Sequence, residues 1–161
     1  MDKLRIKDVL TEVKPGMELT VNGWVRTVRT SKGGFSFIAL NDGSCLANLQ
    51  VVAAAALANY EREVVHLPTG ASVTVAGTLV ASQGKGQSVE LQASEIRVIG
   101  LADPDQYPIQ QKHHTLEFLR TQAHLRPRTN TFSALARVRN EICIAIHDFF
   151  QTRGFLYAHT P

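Results

Sequence analysis

The chain has 161 residues, of which 44% are hydrophobic and 19% are charged, and this balance excludes a disordered chain because it can bury a core. No apolar run approaches the roughly eighteen residues that a membrane helix requires, and the first residues lack the apolar region of a secretory signal. We therefore expect a soluble, cytoplasmic protein with no membrane partner.

The charge and the cysteines exclude further classes of protein. A net charge of +3 is too small to identify a polyanionic partner by itself. Cys45 and Cys143 lie far apart without Cys-x-x-Cys spacing, which argues against a disulfide framework and a structural zinc site. No acid or cysteine completes a site with the histidines of the segment 113–124. The sequence predicts no metal site and shows no catalytic constellation.

Hydrophobic periodicity predicts the elements in chain order. Apolar residues at helical spacing predict a short helix that ends at Pro15 and Gly16. Period-two alternation and turn residues then predict five strands, at residues 17–26, 35–40, 46–52, 73–79 and 89–99. Between the third and fourth strands, residues 53–65 are rich in alanine and leucine and predict a helix.

Three strands, a helix and two strands are the order of the oligonucleotide-binding (OB) barrel, so the predicted fold class is mainly β, a five-stranded Greek-key barrel. Gly23 and Gly77 fall within strands, where small barrels need a glycine to coil sharply. A linker at 102–115 and a long amphipathic helix at 130–153 follow the barrel. The predicted domains are therefore the barrel at 1–101, the linker, and the start of a second domain at 116–161.

The outer face of such a barrel decides its ligand, because the fold binds oligonucleotides, oligosaccharides and proteins. Single-stranded nucleic acid needs flat rings for unstacked bases, cations for the backbone, and amides or carboxylates for base edges. Phe35 and Phe37 share one face of the second strand, and Gln50 lies on the third strand nearby. Strand parity alone leaves open whether Phe37 belongs to the core. The candidate cations are Arg26, Arg29, Lys32 and Lys85.

Several segments carry a resemblance to a known family. The sequence HLRPRTN at 124–130 resembles the opening of the catalytic domain of asparaginyl-tRNA synthetases, and GFLYAHTP at 154–161 resembles the end of class II synthetase motif 1. With GWVR at 23–26 and GGFSFI at 33–38, the resemblance covers essentially the whole chain. It implies the N-terminal fragment, ending at motif 1, of a member of the aspartyl, asparaginyl and lysyl subgroup.

This resemblance implies a role for each residue of the outer face. Phe37 would stack on the middle anticodon base, Gln50 would read the edge of that base as uracil, and Glu90 would contact the third base. Without the resemblance, Glu90 is equally well explained as a solvated strand residue. Independently of the resemblance, Arg26 and Arg29 are either exposed charges at the end of a strand or contacts to RNA, and RNA contact is favoured because a guanidinium stacks on bases and binds phosphate. Lys32 and Lys85 would add phosphate contacts, and Phe35 would lie beside Phe37 at the anticodon.

The resemblance also implies an enzyme and a homodimer for the full-length protein. The complete enzyme would activate asparagine with ATP and Mg²⁺ and transfer it to the 3′ end of its tRNA. Motifs 2 and 3, which hold ATP and the amino acid, would lie beyond Pro161, so this part should hold no cofactor and catalyse nothing. The dimer interface would contain Leu135, Val138, Ile142, Ile146, Phe149 and Pro161.

Three alternatives remain open from the sequence. The chain could belong to an aspartyl- or lysyl-tRNA synthetase, although residues 125–129 favour the asparaginyl enzymes. It could be a free-standing barrel that binds single-stranded nucleic acid without an enzymatic role, which would leave the long C-terminal helix unexplained. It could also be an adaptor that docks on other proteins through the apolar face of that helix.

Overall fold

The computed structural model describes residues 4–84 and 86–160. Two of the predicted site residues, Lys85 and Pro161, lie outside these ranges. The chain forms two compact units, Met1–His114 and Thr115–Pro161. The finer division into barrel, linker and second domain, at residues 101 and 115, stays a prediction.

The first unit contains a closed five-stranded barrel, which confirms the predicted fold class. Its strands are β1 (Glu18–Ser31), β2 (Phe35–Asn41), β3 (Leu49–Ala54), β4 (Ser72–Ala81) and β5 (Val89–Gly100). They are joined in the order β1-β2-β3-β5-β4, and β4 pairs with β1 to close the barrel. The pairing of β3 with β5 is parallel, whereas the other pairs are antiparallel.

Alternating apolar residues fill the interior of the barrel. In β2, Ser36, Ile38 and Leu40 point inward and are fully buried, while the residues between them are half-buried on the outside. Val75 and Leu79 of β4 are likewise fully buried, with polar or small residues between them. Each large apolar side chain removed from water in this way contributes about 1.5 to 3 kcal/mol.

The predicted helix at 53–65 is wrong. β3 continues to Ala54, a series of turns follows, and only Val64–His66 forms a short 3-10 helix. The side chain of Asn59 donates from Nδ2 to the carbonyl of Ile96 at 2.9 Å and to Glu63 Oε2 at 2.6 Å. These bonds, together with the burial of Tyr60, hold the segment against β5 and the core, so tertiary contacts override the helix propensity of the alanines.

A helix covers part of the core ahead of β1. In α1 (Ile6–Thr11), Ile6 and Val9 are fully buried. The residue preceding α1 makes no side-chain cap, and the amide of Ile6 instead donates to Asp42 Oδ2 at 2.8 Å. Burial alone would raise the pKa of Asp42, but hydrogen bonds from Ser44 and from the Ile6 amide hold that pKa below its ordinary value. The loop after β2 therefore caps a helix 36 residues earlier in the chain.

The second unit contains α2 (Leu116–Thr121), a 3-10 helix at Arg126–Arg128 and the long helix α3 (Asn130–Gln151). The side chain of Thr129 caps α3 by accepting from the amide of Phe132. The guanidinium of Arg126 lies 4.7 Å from the centre of the Phe132 ring. The predicted long C-terminal helix is confirmed. Among the described residues, no helix is long and apolar enough to span a bilayer.

Candidate nucleic-acid interface

An open cleft of about 460 Å³ lies on the outside of the barrel. Residues from β1, β2, β3 and the loop between β4 and β5 meet there. The cleft is lined by Arg29, Thr30, Ser31, Phe37, Gln50, Gly84 and Gln87. The structure thus brings three of the residues predicted from the sequence, Arg29, Phe37 and Gln50, to one surface.

The Phe37 ring is half-buried on the outer face of the barrel. It points away from the core because its neighbours Ser36 and Ile38 occupy the inward positions of β2. The Phe35 ring meets it edge-on, with the centroids 5.2 Å apart and an interplanar angle of 86°. A ring supported at its edge in this way is held in one orientation, which is what a stacking surface requires.

Arg29 lies beside this ring because β1 is longer than predicted. The strand does not end at Arg26 but passes an irregularity between Val25 and Thr27 and continues to Ser31. Arg29 then pairs with Phe37 across β1 and β2, and its guanidinium carbon lies 6.0 Å from the centroid of the ring. The exposed guanidinium can stack on a base or bind a phosphate with two hydrogen bonds.

The other predicted cations lie around the same hairpin without lining the cleft. Lys32 is exposed in the turn after β1, and Arg26 is half-buried, with its backbone carbonyl accepting a hydrogen bond from Thr69. Both are absent from the described lining of the cleft. Position 85 falls outside the described part of the chain.

The amide of Gln50, which lines the cleft, contacts the carboxylate of Glu90, which is not among the described lining residues. Gln50 on β3 donates from Nε2 to Oε2 of Glu90 on β5 at 3.3 Å. The same carboxylate oxygen accepts from Ser82 Oγ at 3.1 Å and from Gln87 Nε2 at 3.3 Å. Sequence reasoning missed Ser82 and Gln87. Their position at the two ends of the loop between β4 and β5, close to Glu90 in the sequence, was the available signal.

A buried network of hydroxyl groups lies on the inner side of β2. Ser36, which is fully buried, exchanges hydrogen bonds with Thr30 Oγ1 at 3.1 Å and with the Tyr60 hydroxyl at 2.9 Å. Ser36 lies between Phe35 and Phe37 in β2, so this network anchors the strand that carries both rings. Buried polar groups that are paired in this way stabilise one arrangement of the neighbouring backbone.

The interface offers ring, cation, amide and carboxylate groups. Within residues 4–84 and 86–160, no group of three or more His, Cys, Asp or Glu side chains is placed to hold a metal ion. The groups at the cleft can stack on a base, bind a phosphate and form hydrogen bonds.

Comparisons with known proteins identify relatives of this chain. Residues 19–99 match the family of OB-fold nucleic acid binding domains. The sequence is 55% identical to an asparagine–tRNA ligase of Synechocystis over 161 residues. This alignment covers all of this chain and 35% of the relative. It is 57% identical to an asparagine–tRNA ligase of Nostoc over 98% of this chain and 34% of the relative. The chain spans about a third of the length of these curated relatives.

Solved structures show the same fold at lower identity. The asparaginyl-tRNA synthetase of Pyrococcus horikoshii superposes with a TM-score of 0.83 at 22% identity, over 99% of this chain and 38% of that one. The asparaginyl-tRNA synthetase of Entamoeba histolytica gives a TM-score of 0.78 at 24% identity, over 94% and 37% of the two chains. The resemblance to asparaginyl-tRNA synthetases is confirmed, and the chain belongs to the family of OB-fold nucleic acid binding domains.

Proposed function

We propose that the barrel binds the anticodon loop of a tRNA and selects asparagine tRNA for an asparagine–tRNA ligase. The observation that carries this proposal is the outward Phe37 ring, which lies in a cleft between the Arg29 guanidinium and the Gln50 amide. Unpaired RNA bases are recognised by this combination of a stacking ring, a cation and an amide.

The middle anticodon base stacks on Phe37 while its edge faces Gln50. Since Gln50 uses one N–H of its amide to bond Glu90, its Oε1 and its second N–H are left for the base. Uracil offers an N3–H donor next to carbonyl acceptors, and this pattern matches an amide. The third base lies beside Glu90. Arg29, Lys32, Arg26 and Lys85 neutralise the phosphates around the loop, and Phe35 buttresses the stack.

Within the complete protein, the barrel discriminates between tRNAs, and the aminoacylation reaction occurs in another domain. The complete enzyme is a cytoplasmic ligase that activates asparagine with ATP and Mg²⁺ and transfers it to tRNA. The described residues provide no cluster that fits a metal ion, and we assign no step of the reaction to them. Anticodon binding contributes by placing the acceptor end of the tRNA productively, because binding energy from remote contacts can be used to orient the reacting groups.

The identity of the middle base provides the test. We expect the 161-residue chain to bind an anticodon stem-loop with a central uracil about tenfold more tightly than the same stem-loop with a central cytosine, since cytosine replaces the N3–H donor by an acceptor. Fluorescence anisotropy with labelled stem-loops measures both affinities. Equal affinities would indicate a non-selective single-stranded nucleic-acid module, and no binding would favour the protein-interaction adaptor.

We also propose that α3 forms the homodimer interface of the complete protein. Five of the residues predicted for this role form an exposed apolar stripe, with exposed fractions of 58% for Leu135, 56% for Val138, 54% for Ile142, 53% for Ile146 and 49% for Phe149. The sixth, Pro161, lies outside the described residues. Exposed apolar stripes of this length are covered in the assembled state of a protein.

Light scattering coupled to gel filtration tests this interface. The chain is expected to self-associate through α3 as its concentration rises, and Ile142→Glu is expected to make it monomeric because a carboxylate would then be buried without a partner. Asn140→Glu, on the opposite side of α3, is the matched control and should associate like the wild type. A wild-type chain that stays monomeric at every concentration would contradict the proposal.

A further inference from the structure

Three hydrogen bonds converge on one oxygen of the Glu90 carboxylate. Gln50 Nε2 and Gln87 Nε2 each donate to Oε2 at 3.3 Å, and Ser82 Oγ donates to it at 3.1 Å. Within the described part of the chain, all the side-chain hydrogen bonds to this carboxylate end on Oε2. Within the described residues, Oε2 is therefore held by the protein, whereas Oε1 can accept a hydrogen bond from a ligand.

The Ser82 hydroxyl is fixed in direction because its hydrogen-bonding capacity is used completely. It donates to Glu90 Oε2 and accepts both from Gln87 Nε2 at 2.9 Å and from the amide of Gly84 at 3.1 Å. A hydroxyl has one donor and two acceptor sites, so no alternative rotamer satisfies the same partners. Gln87 bonds both Ser82 and Glu90, so that it links Ser82, at the start of the loop between β4 and β5, to the carboxylate.

The same oxygen joins the two residues that we expect to read bases. Gln50 lies on β3, Glu90 lies on β5, and their hydrogen bond crosses between these strands. A change in the orientation of the Glu90 carboxylate removes the acceptor that fixes the Gln50 amide. Recognition of the middle base and of the third base then depends on one shared network.

We propose that Ser82 and Gln87 are positioning residues that orient Glu90 and, through it, Gln50, so that the middle and third anticodon bases are read together. This inference rests on the proposed function. Neither residue needs to touch the RNA for this role. Their contribution is to hold an amide and a carboxylate in the orientation that base reading requires before the RNA arrives, which lowers the entropic cost of ordering them on binding.

The experiment compares discrimination between bases rather than affinity alone. Three stem-loops are titrated by fluorescence anisotropy: the matched anticodon, one changed at the middle base and one changed at the third base. Gln87→Ala is expected to reduce discrimination at both positions by about three- to tenfold, the range that corresponds to the net contribution of one ordinary hydrogen bond. Ser82→Ala should act in the same direction, and Ser82→Thr, which keeps the hydroxyl, should restore discrimination.

Ser88→Ala is the matched control. Ser88 is exposed in the same loop, and its backbone carbonyl accepts from the Ser82 amide, so the side chain can be replaced while that bond is kept. The variant should discriminate like the wild type. Thermal unfolding of each variant checks that the barrel remains folded.

The possible outcomes separate this inference from the function on which it rests. A wild-type chain that binds all three stem-loops equally, or none of them, overturns the proposed function itself. A wild-type chain that discriminates, with Gln87→Ala discriminating equally well, overturns only the positioning role. Equal weakening of all three stem-loops by Gln87→Ala would also overturn that role, because it would indicate a sequence-independent contact.

Discussion

Replacement of Gly77 by alanine is expected to destabilise the barrel by about 3 kcal/mol or more, because a side chain at this position has no space. A Cβ atom built on Gly77 would lie 2.1 Å from the carbonyl oxygen of Gln92 and 2.8 Å from its carbonyl carbon. Both atoms belong to the backbone of β5, so a rotamer change cannot relieve the clash.

The neighbouring strands cannot move apart to make that space. Gly77 of β4 pairs with Leu19 of β1 on one side and with Ala93 of β5 on the other, and the register of β4 with β5 shifts between Ala76 and Gly77. Opening either side would break pairing that closes the barrel. The clash therefore has to be absorbed by two neighbouring strands at once.

Urea denaturation followed by circular dichroism measures this effect. Gly84→Ala is the matched control, because the nearest atoms to its Cβ would be side-chain atoms of Ser82 and Gln87 at 3.5 and 3.8 Å, in ordinary contact. The control should change the free energy of unfolding by less than about 1 kcal/mol. A Gly77→Ala variant that unfolds at the wild-type urea concentration would refute the described closure.

The barrel could be predicted from the sequence because each strand repeats a local rule. In β2, alternation alone assigns Phe35 and Phe37 to one face, and the burial of Ser36 and Ile38 then decides that this face is the outer one. The order of three strands, a helix and two strands, with a glycine within two of the strands, predicts the barrel, and the barrel forms although the segment between β3 and β4 is not an α-helix.

The errors lie where contacts between distant residues decide the conformation. Residues 53–65 have helical composition, but the bond from Asn59 to Ile96 spans 37 positions and no local pattern reveals it. The period-two alternation predicts the first strand at residues 17–26, yet pairing with β2 extends β1 to Ser31. This extension places Arg29 beside Phe37.

The sequence contains one indication of the hydrogen bonds made by Ser82 and Gln87, which is the position of both residues close to Glu90. Polar residues in a loop with glycines indicate a mobile turn when they are considered alone. Their meaning appears only when β3 and β5 lie side by side, since that pairing brings Gln50 within hydrogen-bonding distance of Glu90. The pairing of β3 with β5 therefore brings Ser82 and Gln87 of the loop into one hydrogen-bond network with Gln50 and Glu90.

Removal of the Phe37 ring is expected to weaken binding of the matched stem-loop by about 1 to 3 kcal/mol, the usual value for one base stacked on an aromatic side chain. The substitution should lower the affinity for RNA and leave the free energy of unfolding almost unchanged, because the ring is half-buried outside the core. The strand stays anchored through the buried hydrogen bond between Ser36 and Tyr60. Phe37→Tyr keeps the ring and should bind like the wild type.

The salt dependence of binding separates stacking from charge neutralisation. Phe37 carries no charge, so Phe37→Ala should shift the affinity without changing the slope of its logarithm against the logarithm of the salt concentration. Arg29 lies opposite Phe37 across β1 and β2. Arg29→Gln should reduce the magnitude of this slope by about 1, because the variant loses one expected contact between the guanidinium and a phosphate. A folded Phe37→Ala variant with wild-type affinity would remove the stacking role, and the cleft would then hold RNA through charge and hydrogen bonds alone.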